Sequence, residues 1–294
     1  MPFEVQIGVL LALFTALGSV LGFLYKHRGA IASPDVEWRR PLSSSLALFK
    51  NRWYTLGIII ATTSWVFHVG ALALAPISLV QSVIAGGLVL LTVCADRLFA
   101  HQVTRREWIG VGLAALGLAF LAATLEGTAD EAHSESTTWV LAAWIGGVGV
   151  GAAIVAWLGA DERRHHSGVM LGAAAGLCWA ASDTAIKALT DQFGNSIADV
   201  LIDPLALAIA FFSIVGLIFS AKSLQVGKAV PVIAVTSVAA NTFTIAAGPI
   251  VFGEPLPDDT LGVAVRIAAF VLVIGAAALT PAPVAAAERE PARA

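Results

Sequence analysis

The sequence predicts an all-α, polytopic membrane protein of about nine transmembrane helices, and three observations carry that prediction. Of 294 residues, 58% are hydrophobic and only 13% are charged, against about 25% charged in an ordinary soluble domain. The apolar residues fall in runs of about 20, the length a helix needs to cross a hydrocarbon core of roughly 30 Å. Those runs show no in–out alternation, which argues against a spanning β-barrel. The same composition excludes a soluble globular enzyme and a disordered chain.

The first run, Glu4–Tyr25, is followed rather than preceded by its basic residues, Lys26 and Arg28. A secretory signal has the opposite order, so this run reads as an uncleaved helix entering with its N-terminus outside. Trp53–Ala75 opens after Lys50 and Arg52 and stops at Pro76, where Ile77–Ala100 begins. Trp108–Leu125 lies between Arg106 and Glu126, and Thr138–Ala160 between Glu135 and Asp161. Gly168–Leu189 ends before Asp191. Pro204–Ala221 opens on Asp203-Pro204, an N-cap followed by proline at the first helical position. Ala229–Phe252 carries Gly248-Pro249 near its end, a kink or hinge, and Thr260–Thr280 is the ninth. The segment Pro41–Trp53 is expected along the inner interface, which Trp and basic residues favour.

Lys and Arg favour the cytoplasmic side of short loops, and nine spans sort them with little residue. Fifteen of the 17 basic residues fall in the alternate segments that this topology places inside, and the other two, Lys187 and Arg266, fall within spans. The outside loops hold acids instead: Glu126, Asp130, Glu131 and Glu135, then Asp191 and Asp199, then Glu254, Asp258 and Asp259. The C-terminus is therefore inside. One transporter bundle is expected over residues 1–281, with a first half at 1–125, a second at 138–281 and a disordered cytoplasmic tail at 282–294. The expected location is the plasma (inner) membrane, with several passes.

Two stretches match across the halves. Pro76 opens an apolar helix that leads through a polar turn to Gly110, 34 residues on, and Pro231 does the same toward Gly262 over 31 residues. The first turn lies inside and the second outside, so the halves read as degenerate inverted repeats (4+5 spans). That arrangement is typical of secondary transporters, whose substrate site lies near the midplane between halves.

At these residues a family comes into view. Ala71-Leu-Ala-Leu-Ala-Pro76-Ile-Ser-Leu-Val-Gln81, continuing to Arg105-Arg106-Glu107-Trp108-Ile109-Gly110, resembles the first half of the drug/metabolite transporter superfamily (EamA-like). Ala221-Lys-Ser-Leu-Gln225-Val-Gly227 and Val251-Phe252-Gly253-Glu254 resemble its penultimate-helix region. The early stretch Gly18 to Ala30, with nine rather than ten spans, is similar to the NIPA-type magnesium transporter branch. The resemblance implies two inverted halves that alternate access. It does not name the cargo.

Charge at the centre of a spanning helix costs roughly 2.5–3.5 kcal/mol on insertion scales and is usually paired or functional. Asp183 lies in the sixth span about 10 Å from its outer end at 1.5 Å per residue, with Trp179 and Lys187 on the same face one turn to either side. Two readings stand: a substrate or coupling carboxylate, or a partner for a Lys187 that snorkels outward. His68, Gln81 and Arg266 fall at comparable depth, so an outward vestibule around Asp183 is expected, with Lys187 or Arg266 as its counter-charge. Ser182, next to Asp183, and Asn241, near the centre of the eighth span, complete the candidate substrate or coupling residues. Each of the uncharged ones also reads as interhelical glue.

Gly18-x-x-x-Gly22, Gly147-x-x-x-Gly151 and Gly172-x-x-x-Gly176 read as close helix contacts. Cys94 and Cys178 lie in apolar runs without metal-ligand spacing. No catalytic constellation appears, so the expectation is a non-enzyme with no cofactor and no metal site. The expected partners are a small-molecule or ion substrate and membrane lipid, with no nucleic acid and a homodimer left open. The function expected first is a secondary transporter of a small organic solute, with proton coupling through Asp183 as one form. Magnesium (divalent-cation) transport is the first alternative, ranked lower because Lys187 and Arg266 near one carboxylate would repel a divalent ion. A non-transporting scaffold or lipid-binding accessory protein is the second.

Overall fold

The computed structural model describes residues 2–34, 41–86, 105–124, 130–161, 166–191, 202–227 and 229–279. The expected tail at 282–294, Cys94 and the later part of the third span lie outside them. Among the described residues every regular element is helical. They are α1 (Phe3–Ile31), α2 (Pro41–Ala47) with a 3-10 turn at Leu48–Lys50, and α3 (Arg52–Leu74). Then come α4 (Ile77–Gly86), α5 (Arg105–Ala123), α6 (Thr138–Gly159), α7 (Ser167–Thr190), α8 (Pro204–Val226), α9 (Ala229–Val251) and α10 (Thr260–Leu279). Four of these, α3, α6, α7 and α8, are long and apolar enough to cross a membrane.

Local chemistry sets several boundaries. The Asn51 side chain accepts from Trp53 N–H at 2.9 Å and caps α3, and Asp203 does the same for Leu205 N–H at 2.7 Å ahead of Pro204; both satisfy donors that the first turn leaves open. Two helices outrun their expected spans. α1 continues past Tyr25 to Ile31 and α8 past Ala221 to Val226. The basic residues expected to stop them, Lys26 and Lys222, are buried within the helices, because a lysine stem packs like an apolar chain. At the same end Trp53 stacks on Tyr25, and the Arg28 guanidinium lies 4.1 Å from its ring centroid.

α7 is the central helix, packed by α6, α8 and α9; α1 lies along α3, and α5 along α10. Small residues permit the closest approaches. A Cβ on Gly176 would stand 2.3 Å from the Thr236 carbonyl of α9, and one on Gly22 would stand 3.2 Å from the Gly57 carbonyl of α3. The Gly147–Gly151 pattern behaves differently: nothing lies within 4 Å of a Cβ on Gly147, and the close approach falls on Gly149, where a Cβ would stand 2.8 Å from the Phe212 ring of α8. α6 instead carries two exposed tryptophans, Trp139 and Trp157. They stand about 27 Å apart at 1.5 Å per residue, the spacing of two aromatic belts at the edges of a hydrocarbon core. Apolar helices of this length, with large apolar side chains facing outward from α1, α3, α6 and α8, define an integral membrane protein.

Side-chain bonds gather the connections into two ends. At one, Lys187 of α7 joins the ends of α3 and the 130–137 loop, Glu254 joins the start of α4, and Arg266 of α10 joins the end of α5. At the other, Gln225 of α8 reaches the carbonyls of Ala30 and Pro34 beyond α1.

Candidate functional site: a buried carboxylate held from three helices

Asp183 occupies the middle of α7 and accepts two side-chain hydrogen bonds from the first half. Gln81 Nε2 of α4 donates to Oδ2 at 3.0 Å, and His68 Nε2 of α3 stands 3.0 Å from Oδ1. An ionised Asp183 can only accept, so Nε2 of His68 then carries the proton. Its other ring nitrogen, Nδ1, is buried and finds no hydrogen-bond partner among the described residues. Residues 115 and 102 positions apart thus meet because α3, the α3–α4 turn and α4 fold as one hairpin against α7. The Asp183 side chain keeps 17% of its surface exposed. The arrangement can hold a proton or a positively charged group at a carboxylate backed by a histidine and a glutamine.

The structure brings together three of the expected residues, Asp183, His68 and Gln81, and sends the others elsewhere. Ser182 pairs with Ser213 of α8, Oγ to Oγ at 3.2 Å. Trp179 lies along α8, its ring about 3.5 Å from where a Cβ on Gly216 would sit. Asn241 is buried in α9, and among the described residues no bond joins it to Asp183.

The expected counter-charges do not pair with Asp183. Lys187 is one turn further along α7, fully buried, and neither snorkels nor meets the carboxylate. Its ammonium donates to the carbonyls of Leu72 at 2.7 Å, Ala75 at 3.0 Å and Ala132. The physical reason is the end of α3, whose last carbonyls have no partner within the helix and attract a cation at the negative end of its dipole. Arg266 donates from Nε to Thr124 Oγ1 at 2.7 Å, closing α10 on α5.

Glu254 is the residue the sequence reading passed over as a site candidate. Expected in an acidic outer loop, it is 4% exposed. Gly253 adopts φ +62°, a left-handed turn open to glycine, and this folds the chain back so that Glu254 points into the bundle. There Oε1 accepts from Ser78 N–H at 3.2 Å, in the first turn of α4, while Oε2 is buried with no hydrogen-bond partner among the described residues. Burial pushes this carboxyl, which lies in the loop beyond α9, above its usual range, opposed by the Ser78 bonds and the charges of Lys187 and His133. The signal was a glycine directly before the acid, at the end of an apolar run.

Among the described residues no group of three His, Cys, Asp or Glu side chains could hold a metal ion. No family model matches the chain, and no solved structure matches it significantly. It is similar to a curated protein of Arabidopsis thaliana, "Probable magnesium transporter NIPA9". The two are 23% identical over 279 residues, which cover 90% of this chain and 79% of the relative.

Proposed function

We propose that the chain is a secondary transporter moving a small solute by alternating access, with the Asp183–His68–Gln81 centre as its substrate or coupling site. The single observation that carries this reading is Asp183 itself, a carboxylate within a spanning helix, seven residues from its end, whose partners among the described residues are a histidine of α3 and a glutamine of α4. Lys187, the cation nearest to it along α7, bonds backbone carbonyls instead of the carboxylate. In a proton-coupled cycle, Asp183 or the Nδ1 face of His68 takes up the proton. The two-ended gathering of the connections supports nine spans, with the Lys187–Glu254 end outside, and the Pro76 and Pro231 segments support inverted halves. Residues 1–281 then form the bundle and the tail lies inside, in a multi-pass protein of the plasma membrane. No enzymatic step belongs to this reading.

A second reading, magnesium transport, is favoured by two observations. The named relative is a probable magnesium transporter. The cations that the sequence set against a divalent ion, Lys187 and Arg266, bond to other groups. One carboxylate, the Gln81 carbonyl and retained waters are the oxygen donors magnesium takes.

The test is reconstitution in liposomes with a panel of amino acids, amphipathic cations and magnesium, reading uptake with and without a pH gradient. Asp183→Asn should lower the flux by about 100-fold, equivalent to ~2.7 kcal/mol, while the protein still elutes as a folded species. Full flux and full pH coupling in that variant would remove Asp183 from the mechanism. Uptake of magnesium alone, independent of the pH gradient, selects the second reading.

A further inference from the structure

We propose that Lys187 and Glu254 form a releasable latch that closes the outer end of the bundle over the Asp183 site. The inference rests on the transporter reading for its purpose, but the geometry is independent of it. The turn between α3 and α4 leaves two sets of backbone groups open, the last carbonyls of α3 and the first N–H groups of α4. Members of both sets bond to side chains from the second half. Lys187 takes the Leu72 and Ala75 carbonyls, and Glu254 takes the Ser78 N–H. A cation thus sits at the negative end of one helix and an anion at the positive end of the next. The two side chains attract each other through space, and the Glu254 charge also acts on Arg266 and His133. Lys187 additionally holds the carbonyl of Ala132 in the loop between the halves.

What lies beneath the latch points to a compartment that opens to water. α4 runs from this end into the bundle, since Ala85 packs with Val273, thirteen residues along α10 from the same end. Ser82 is one turn inward of Ser78, and Thr244 is one turn inward of Gly248, against which the Glu254 carboxylate lies. Both hydroxyls are completely buried, and both lack a hydrogen-bond partner among the described residues. Buried hydroxyls in native proteins are nearly always bonded, so two in one seam below a pair of interhelix clamps mark a path that hydrates on release. Gln81, next to Ser82, bonds Asp183; Asp183 is one turn below Lys187. Opening at this end would expose the carboxylate from outside.

The experiment uses the full chain with Cys94→Ser and Ser82→Cys, keeping the native Cys178 as an internal control. Cys178 is buried on the α8 side of α7, away from the latch. Right-side-out vesicles are treated with a membrane-impermeant maleimide, and labelling at each site is timed by mass spectrometry. Lys187→Met and Glu254→Ala are expected to speed labelling at position 82 at least tenfold while Cys178 stays protected. Glu254→Gln keeps an acceptor for the Ser78 N–H and should speed it less. Unchanged labelling at position 82 overturns the latch. So does equal acceleration at Cys178, which reports general loosening, or failure of both Lys187→Met and Glu254→Ala to fold. Labelling needs no transported solute. An accelerated position 82 in a protein without flux fails the transporter reading alone, and flat labelling in a protein with flux fails the latch alone.

Discussion

Asp183 and Lys187 are one turn apart on the same helix, yet they solve burial in opposite ways. Asp183 meets a histidine and a glutamine side chain and keeps part of its surface open. Lys187 meets three backbone carbonyls and is fully enclosed. Backbone carbonyls at a helix end are fixed dipoles already in place, so a cation docked on them stabilises one arrangement of two helices. A histidine and a glutamine can exchange a carboxylate for water, a proton or a solute at little cost to the backbone. The difference separates a position that organises the fold from one suited to chemistry.

The largest expected effect breaks the fold side of that contrast. Lys187→Met removes the charge that satisfies three carbonyls and takes from the buried Glu254 a favourable charge that acts beside its Ser78 bonds. Leaving a buried acceptor without its donor costs about 1–3 kcal/mol, so the melting temperature in detergent should fall sharply. Adding Glu254→Gln should restore part of the loss by removing the stranded charge. A single variant as stable as the wild type would mean that the carbonyls are satisfied another way.

Gln81→Ala addresses the other side and should cost less. A hydrogen bond to a charged group is worth about 1.5–3 kcal/mol, but Asp183 retains His68 and access to water. Transport should drop by roughly tenfold or more with a melting temperature close to that of the wild type. A large stability loss with unchanged flux would make the Asp183 centre as structural as the Lys187 one.

How much of this was legible beforehand follows the same division. Apolar runs and charge sorting show in composition, and helix ends such as Asp203-Pro204 carry their own chemistry. The meeting of Asp183 with His68 and Gln81 was readable as common depth, because depth follows from counting along each helix. Partner choice was not. Whether Lys187 turns to Asp183 or to the end of α3 depends on how the hairpin docks, which no spacing within α7 encodes. Glu254 was passed over because loop acids outside a positive-inside topology are usually solvated. Only the left-handed turn at Gly253 returns this one to the interior.

The smallest effect is a pH slope, and it tests whether Glu254 is held against its solvation preference. Its usual value is 4.5, and burial raises it in the folded protein. The folded state therefore binds this proton more tightly than the unfolded state does. Its stabilising contribution is complete below pH 4.5 and is lost as pH rises through the raised value, because there the unfolded chain gains more from releasing the proton. Stability in detergent should decline over that interval, and Glu254→Gln, which cannot titrate, should flatten the slope. A slope that survives Glu254→Gln unchanged would mean that another group holds the proton and that Glu254 is not buried against its solvation preference.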